Sequence, residues 1–347
     1  MKLKQLLAWI LVFAMCFVLV ACKDSEKTEN DDSVGSAVKK PTEIKAPSEE
    51  KDPTEPSDVP VTYPAKGPLL YRVSDKQGNV IWLFGSIHVG REDYYPLPAY
   101  VLNAFDNADS LAVEADLIAF EKNTKMQMQA LSCLVYKDGT TIKDHIPQEL
   151  YTKAVEILKS YKSYASALDY YYPIFWSSMI ESLLMEKMDG DINLGIDRHL
   201  LERAYTNQKE IQEVESVQFQ YQMMADFSYE LQGILLKSSL EMCEDPDQTN
   251  ADLKELMDLW ASGDEQAFAA YLASEDDDVT DEERPLYEEY HQVMIVDRNL
   301  SMTNYAENAL KSGKEVFICV GAAHIVGDGA MAQMLAQRGY TVECVTQ

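Results

Sequence analysis

Near opposite ends of the chain, two apolar runs of strand length break into the same kind of turn. Val80 to Gly90 reads VIWLFGSIHVG, and Val316 to Gly327 reads VFICVGAAHIVG. Each run stops at Gly-x-x-His, and each has another glycine within three residues of the histidine. A glycine at a strand end lets backbone or ligand approach closely, and the histidine that follows delivers an imidazole to the sheet edge. One such turn would carry little weight. Two of them, using two of the five histidines, predict a sheet assembled from both ends of the chain with chemistry at its edge.

The stretches between them give the rest of the architecture. LLYRVSDKQGNVIWLFGSIH reads as a hairpin around a Lys-Gln-Gly-Asn turn, with its second strand at Val80 to Ile87. Leu97 to Asn107 has a helical pattern, and Ser110 to Val113 is a short core strand ending in Glu114. From about 118 to 312 the period is helical, seen in Leu150 to Leu158, Leu194 to Ala204 and Phe219 to Leu240, broken by a strand at Lys209 to Ser216. A strand at Glu315 to Val320, a turn over Gly321 to Gly329, a helix to Gln337 and a strand at Tyr340 to Val345 close the chain. The expected fold is therefore α/β: a sheet built from N- and C-terminal strands, with a large helical insertion over about 118–312, inside one domain spanning 61–347. In parallel sheets of this kind a ligand crevice lies beyond the carboxyl ends of the strands.

The N-terminal 60 residues read differently. Lys2 and Lys4 precede an apolar run, Leu6 to Ala21, that is shorter than the ~20 residues a membrane span needs. It ends in Leu19-Val20-Ala21-Cys22, which resembles a bacterial lipobox, so residues 1–22 are expected to be a lipoprotein signal peptide with Cys22 as the lipid-bearing residue. An uncleaved N-terminal anchor is the other reading, and both place the body outside the cytoplasmic membrane. Residues 23–60 are rich in Lys, Glu, Asp, Ser, Thr and Pro and are expected to be a disordered tether.

The net charge of −28 argues against nucleic acid as a partner, because phosphate recognition needs a basic face and counterion release. Much of the acid lies in Glu241 to Tyr290, where 18 Asp or Glu stand against 2 Lys or Arg. It reads as a solvated helical surface, since SEDDDVTDEE lacks the glycine and alternating ligands of an EF-hand loop. No C-x-x-C pair, G-x-S-x-G elbow, P-loop or dinucleotide fingerprint is present. Cys319 and Cys344 fall in apolar strand-like runs and are expected to be small buried thiols.

Glu114 adds a third group to the two histidines. At the end of a core strand an unpaired carboxylate would be costly to bury, and a cation would relieve that cost. His88, Glu114 and His324 together form a two-imidazole, one-carboxylate set of the kind found in hydrolytic metal sites, Zn²⁺ sites among them. Glu114 can equally act as general base. Each also has a plainer use: a hydrogen-bonded structural histidine, or a glutamate paired with arginine or capping a helix. His145 is expected at the surface, His199 faces away from Asp197 on the same helix, and His291 is a solvated partner for Glu288. Tyr161, Tyr164, Tyr170, Tyr171 and Tyr172 read as core and groove wall.

WLFGSIHVG, YPLP, LAVEAD, GIDRHLLERA, DRNLSM and VGAAHIVGDGAMAQMLAQRGYTVE, in that order from about Leu70 to Val345, resemble the TraB/GumN family, which also contains the Tiki metalloproteases. The resemblance implies a metal-dependent peptidase using Mn²⁺ or Co²⁺, with a fold similar to the haem-related ChaN and erythromycin esterase proteins. It carries Gly85 and His88, Glu114, Gly321 and His324 over as site residues. It adds Arg298 and Asn299, the Arg holding a substrate carboxylate or steadying a tetrahedral intermediate unless it forms an ordinary helix salt bridge. It also adds Asp197, whose other use is as a helix cap. The expected function is a lipid-anchored extracytoplasmic peptidase acting on a peptide or protein substrate. A non-catalytic surface protein that sequesters a signalling peptide or haem-like ligand is the rival, and a structural lipoprotein with a relict pocket is the third reading.

Overall fold

The turn at Gly78, with φ of +89°, folds the first two apolar runs into a hairpin in which β1 (Leu70–Ser74) pairs antiparallel with β2 (Val80–Ser86). The computed structural model describes residues 67–274 and 279–345, all within one compact unit. The expected signal peptide, its Cys22 and the expected tether lie outside the described residues. The sheet continues with β3 (Ser110–Val113), β4 (Glu210–Glu213), β5 (Val316–Gly321) and β6 (Thr341–Val345), in the order β4-β3-β5-β2-β1-β6. The four strands from β4 to β2 run parallel, and β1 and β6 are antiparallel additions.

All six residues of β5 are buried. It lies between β2 and β3, so a strand from the end of the chain joins two from its beginning. The pairs Ser86 with Gly321 and Val113 with Cys319 bring the carboxyl ends of β2, β3 and β5 to one edge. Cys319 is buried as expected, but Cys344 is exposed, because β6 lies at the edge of the sheet with much of its length in water.

The helices follow the predicted plan with local differences. α1 (Ala99–Asn107) joins β2 to β3; α2 (Pro173–Met185) is buried along almost its whole length; α3 (Ile196–Thr206) leads to β4. The period read across Phe219 to Leu240 is two helices, α4 (Val217–Ala225) and α5 (Tyr229–Glu244), because Ser228 caps the second through Leu231 N–H. α6 (Pro246–Ser262) starts at a proline and ends at the left-handed Gly263. A π-helical segment, Gln292–Asp297, runs directly into α7 (Arg298–Lys311). The expected turn after β5 begins with a helical turn, α8 (Ala322–Ile325), before α9 (Met331–Gln337).

Apolar side chains gather into two cores. One surrounds the sheet and includes Leu111, Phe317 and Ile318 together with Leu200, Trp260 and Met302. The other is helical, centred on Trp176, Ile180, Tyr221 and Leu236. Among the described residues, no helix is long and apolar enough to cross a membrane.

Candidate functional site at the sheet edge

The glycine one residue before the end of β2 has a steric cause. A Cβ on Gly85 would stand 2.9 Å from the Ala322 Cα, so its absence lets the first turn of α8 close onto the strand. The Gly85 carbonyl accepts from the Trp260 indole at 2.8 Å. Beyond β2 the chain interlocks with the segment before α3: Gly90 and Asp191 exchange backbone hydrogen bonds at 3.0 and 2.9 Å, and Ile196 N–H donates to Ile87 O at 2.9 Å. A Cβ on Gly195 would fall 2.6 Å from the His88 carbonyl. These contacts hold His88 against the start of α3, where its Nδ1 lies 2.8 Å from Asp197 Oδ2. Asp197 is therefore a partner of His88 and not a helix cap, the cap position being Gly195. Its Oδ1 is buried with no hydrogen-bond partner.

At the end of β3 the Glu114 carboxylate is fully engaged. Oε1 accepts from the Gly321 N–H at 2.7 Å, and Oε2 accepts from Arg298 Nη2 at 2.7 Å and Gln220 Nε2 at 3.2 Å. The neighbouring strand supplies a second carboxylate: Glu215 N–H donates to the Glu114 carbonyl at 2.9 Å, and its side chain receives Arg298 Nε at 2.8 Å and Nη2 at 2.9 Å. Arg298 is 1% exposed. Burial opposes its charge, but the two carboxylates outweigh that and hold the guanidinium above its ordinary range. The π-helical turn immediately before Arg298 is the local irregularity that leads into it.

His324 lies on α8 with no exposed surface. Its Nδ1 is 2.7 Å from Asn299 Oδ1, and the Asn299 amide nitrogen donates to the Gly329 carbonyl at 2.9 Å. That second bond fixes the amide, so its oxygen faces the ring and must accept from Nδ1–H. Nε2 therefore bears the lone pair, and it is buried with no hydrogen-bond partner. Burial, and then the charge of Arg298, hold His324 well below the ordinary histidine value; Glu215 opposes them, and His88 adds a smaller push downward. Cys319 borders the same cluster, its thiol raised by burial and by Asp197 and Glu114, with Ser86 acting against the rise.

The predicted residues thus gather at one edge, in three bonded groups: His88 with Asp197, Glu114 with Arg298, and His324 with Asn299. They do not form a ready three-donor cage. Among the described residues, no group of three or more His, Cys, Asp or Glu is placed to hold a metal ion. The imidazole half of the expected ligand set suits a divalent cation, since His324 offers a buried, uncommitted nitrogen and both rings have Nδ1 handed to a side-chain oxygen. The carboxylate half does not, because Glu114 is committed to Arg298, Gln220 and Gly321 N–H. Arg298 commits its Nε and Nη2 to the two carboxylates. Gly85 and Gly321, expected to meet substrate, have their carbonyl and N–H engaged within the protein.

No sequence motif marks Glu215 or Gln220. The available signal was position: Glu215 follows β4 as Glu114 follows β3, and β3 and β4 pair in parallel. His145, expected at the surface, is half-buried and stacks on Tyr136 with centroids 4.5 Å apart. Tyr164 shares Asp169 with Tyr151, and Tyr171 stacks on Phe175, while Tyr170 is exposed.

Comparison with known proteins agrees over the same span. A family model described as the TraB/PrgY/gumN family matches residues 69–344. The uncharacterized protein YbaP of Escherichia coli K12 is 27% identical over 258 residues, covering 73% of this chain and 86% of that protein. YbaP of Shigella flexneri matches to the same extent. No solved structure matches significantly.

Proposed function

The chain belongs to the TraB/PrgY/gumN family, and from that premise we propose that it is a lipid-anchored extracytoplasmic hydrolase of peptide bonds whose reacting centre is the polar edge of the sheet. The observation that supports this reading most is His324: a neutral, fully buried imidazole, its tautomer set by Asn299, presenting an unpartnered Nε2 beside His88 and Arg298.

His88 and His324 would hold a divalent cation, Mn²⁺, Co²⁺ or Zn²⁺, which supplies Lewis acidity and lowers the pKa of a water. The protein's own groups do the rest. Asp197 orients His88 and keeps its Nδ1 proton in place. Glu114 and Glu215 fix Arg298 as a preorganised positive charge where charge would develop on a carbonyl oxygen. The Gly321 N–H to Glu114 bond ties β3 to the turn carrying His324. Cys22 would carry the lipid, and residues 23–60 would hold the body off the membrane.

The closed state of Glu114 favours a second reading, in which the same edge binds a signalling peptide or haem-like ligand without turnover. Elemental analysis of protein purified without chelator, followed by a peptide-library digest with added Mn²⁺ or Co²⁺, separates the two. The hydrolase reading expects about one bound cation per chain, and cleavage that is lost in His324→Ala. Peptide binding that survives chelation with no cleavage would establish the rival.

A further inference from the structure

A cleft of about 360 Å³ opens next to Arg298, between α4 and the helical stretch that ends at Asp297. Its floor is apolar, formed by Phe219, Met223, Phe227 and Val293. Phe219 is 48% exposed. A lone exposed aromatic is ordinary, but this one continues into a concave apolar floor. The rim carries Asp226, Glu289 and Asp297. Hydrogen bonds reach these carboxylates from neutral donors: the Gln222 amide to Asp226 at 2.8 Å, Ser228 N–H and hydroxyl to Glu289 at 2.8 and 2.7 Å, and the Gln292 amide to Asp297 at 2.8 Å. Among the described residues, none of the three has an ion pair, and Arg298, the cation in the lining, is already held by Glu114 and Glu215.

A concave apolar floor beneath three uncompensated negative charges selects its occupant. We propose that this cleft is a recognition subsite for a peptide segment in which a bulky apolar side chain is flanked by lysine or arginine. The apolar side chain leaves water against Phe219 and Met223, and the cations meet the rim, which speeds encounter and sets register more than it adds affinity. An acidic peptide would meet repulsion at three points. A second copy of this chain is disfavoured as occupant by its own net charge of −28. In placing the subsite against Arg298, the inference rests on the hydrolase reading.

The test uses the full chain and two fluorescent decapeptides with a central Leu-Phe pair, one flanked by lysines and the other by glutamates, followed by anisotropy at low and high salt. The lysine-flanked peptide should bind at least about tenfold more tightly at low salt, with the preference shrinking as salt screens the rim. Asp226→Asn combined with Asp297→Asn, both at exposed positions, should reduce the preference by about three- to tenfold, since each rim charge contributes little alone. Ser301→Trp, which fills the cleft, should weaken the lysine-flanked peptide most. Equal binding of the two peptides, or a preference that both sets of variants leave intact, would overturn the subsite. Cleavage keeps the two readings apart: a preference that persists while the native chain, supplied with Mn²⁺ or Co²⁺, cleaves neither peptide sinks the hydrolase reading and leaves the subsite standing, whereas cleavage by the native chain that is lost in His88→Ala with the preference kept supports both.

Discussion

At Arg298 one guanidinium answers for two buried carboxylates, so removing it leaves both uncompensated. Arg298→Met should lower stability by about 3–5 kcal/mol in urea unfolding, the cost of breaking a buried ion pair from one side. Adding Glu114→Gln and Glu215→Gln should restore most of that loss, because no buried charge then lacks a partner. Asn299 has a different task, setting which ring nitrogen of His324 carries the proton. Asn299→Leu should weaken cation affinity about 10- to 100-fold, and the nitrogen NMR shifts of His324 should show the Nδ1–H tautomer losing its dominance. His88, His324 and Glu114 were legible in the sequence because their types at strand ends point to chemistry, and Arg298, Asn299 and Asp197 were reached through the family resemblance. How these residues pair was not legible, nor were Glu215 and Gln220. Which carboxylate meets Arg298 follows from β3 and β4 lying side by side, and Glu215 was masked by the other acids of Glu210 to Glu215, which read as an ordinary polar strand.

Two elements carry predictions of their own. Gly85→Ala would place a methyl group 2.9 Å from the Ala322 backbone, where no flexible side chain can yield. It should cost about 1–3 kcal/mol as overpacking, read as a lower melting temperature, and it should disturb His324, which α8 carries. In the helical core the Glu181 carboxyl meets the Ser239 hydroxyl at 2.5 Å, and burial pushes it up to about 7 against the opposing effect of that bond. A carboxyl raised in the folded state favours the protonated form there. Its stabilising contribution is full below the ordinary value of 4.5 and is lost as pH rises through about 7. Glu181→Gln should therefore flatten the stability profile between pH 5 and 8 by about 1–3 kcal/mol, measured by denaturant titration across that range. The hairpin, the glycine-ended strands and the helical insertion were readable at this scale because period and turn residues act locally. The break between α4 and α5, the π-helical turn before Arg298 and the helical turn of α8 were not, since each departs from regular period in a context set by packing.

For the whole molecule, the sheet built from both chain ends was foreseeable from the repeated Gly-x-x-His turns, whereas the antiparallel docking of β6 on β1 was not marked by either strand. The proposed anchoring makes its own prediction: Cys22→Ser should move the protein from the membrane fraction to the soluble one, and mass spectrometry of the mature native N-terminus should find lipid on Cys22. Unchanged fractionation would remove lipidation from the account. The position of β5 has a consequence for synthesis. The strand at the heart of the sheet leaves the ribosome long after its two neighbours, so β2 and β3 must each wait with an apolar flank unpaired until β5 has been made. A stop between β4 and β5 would not trim the periphery; it would take out the keystone, together with one of the two imidazoles.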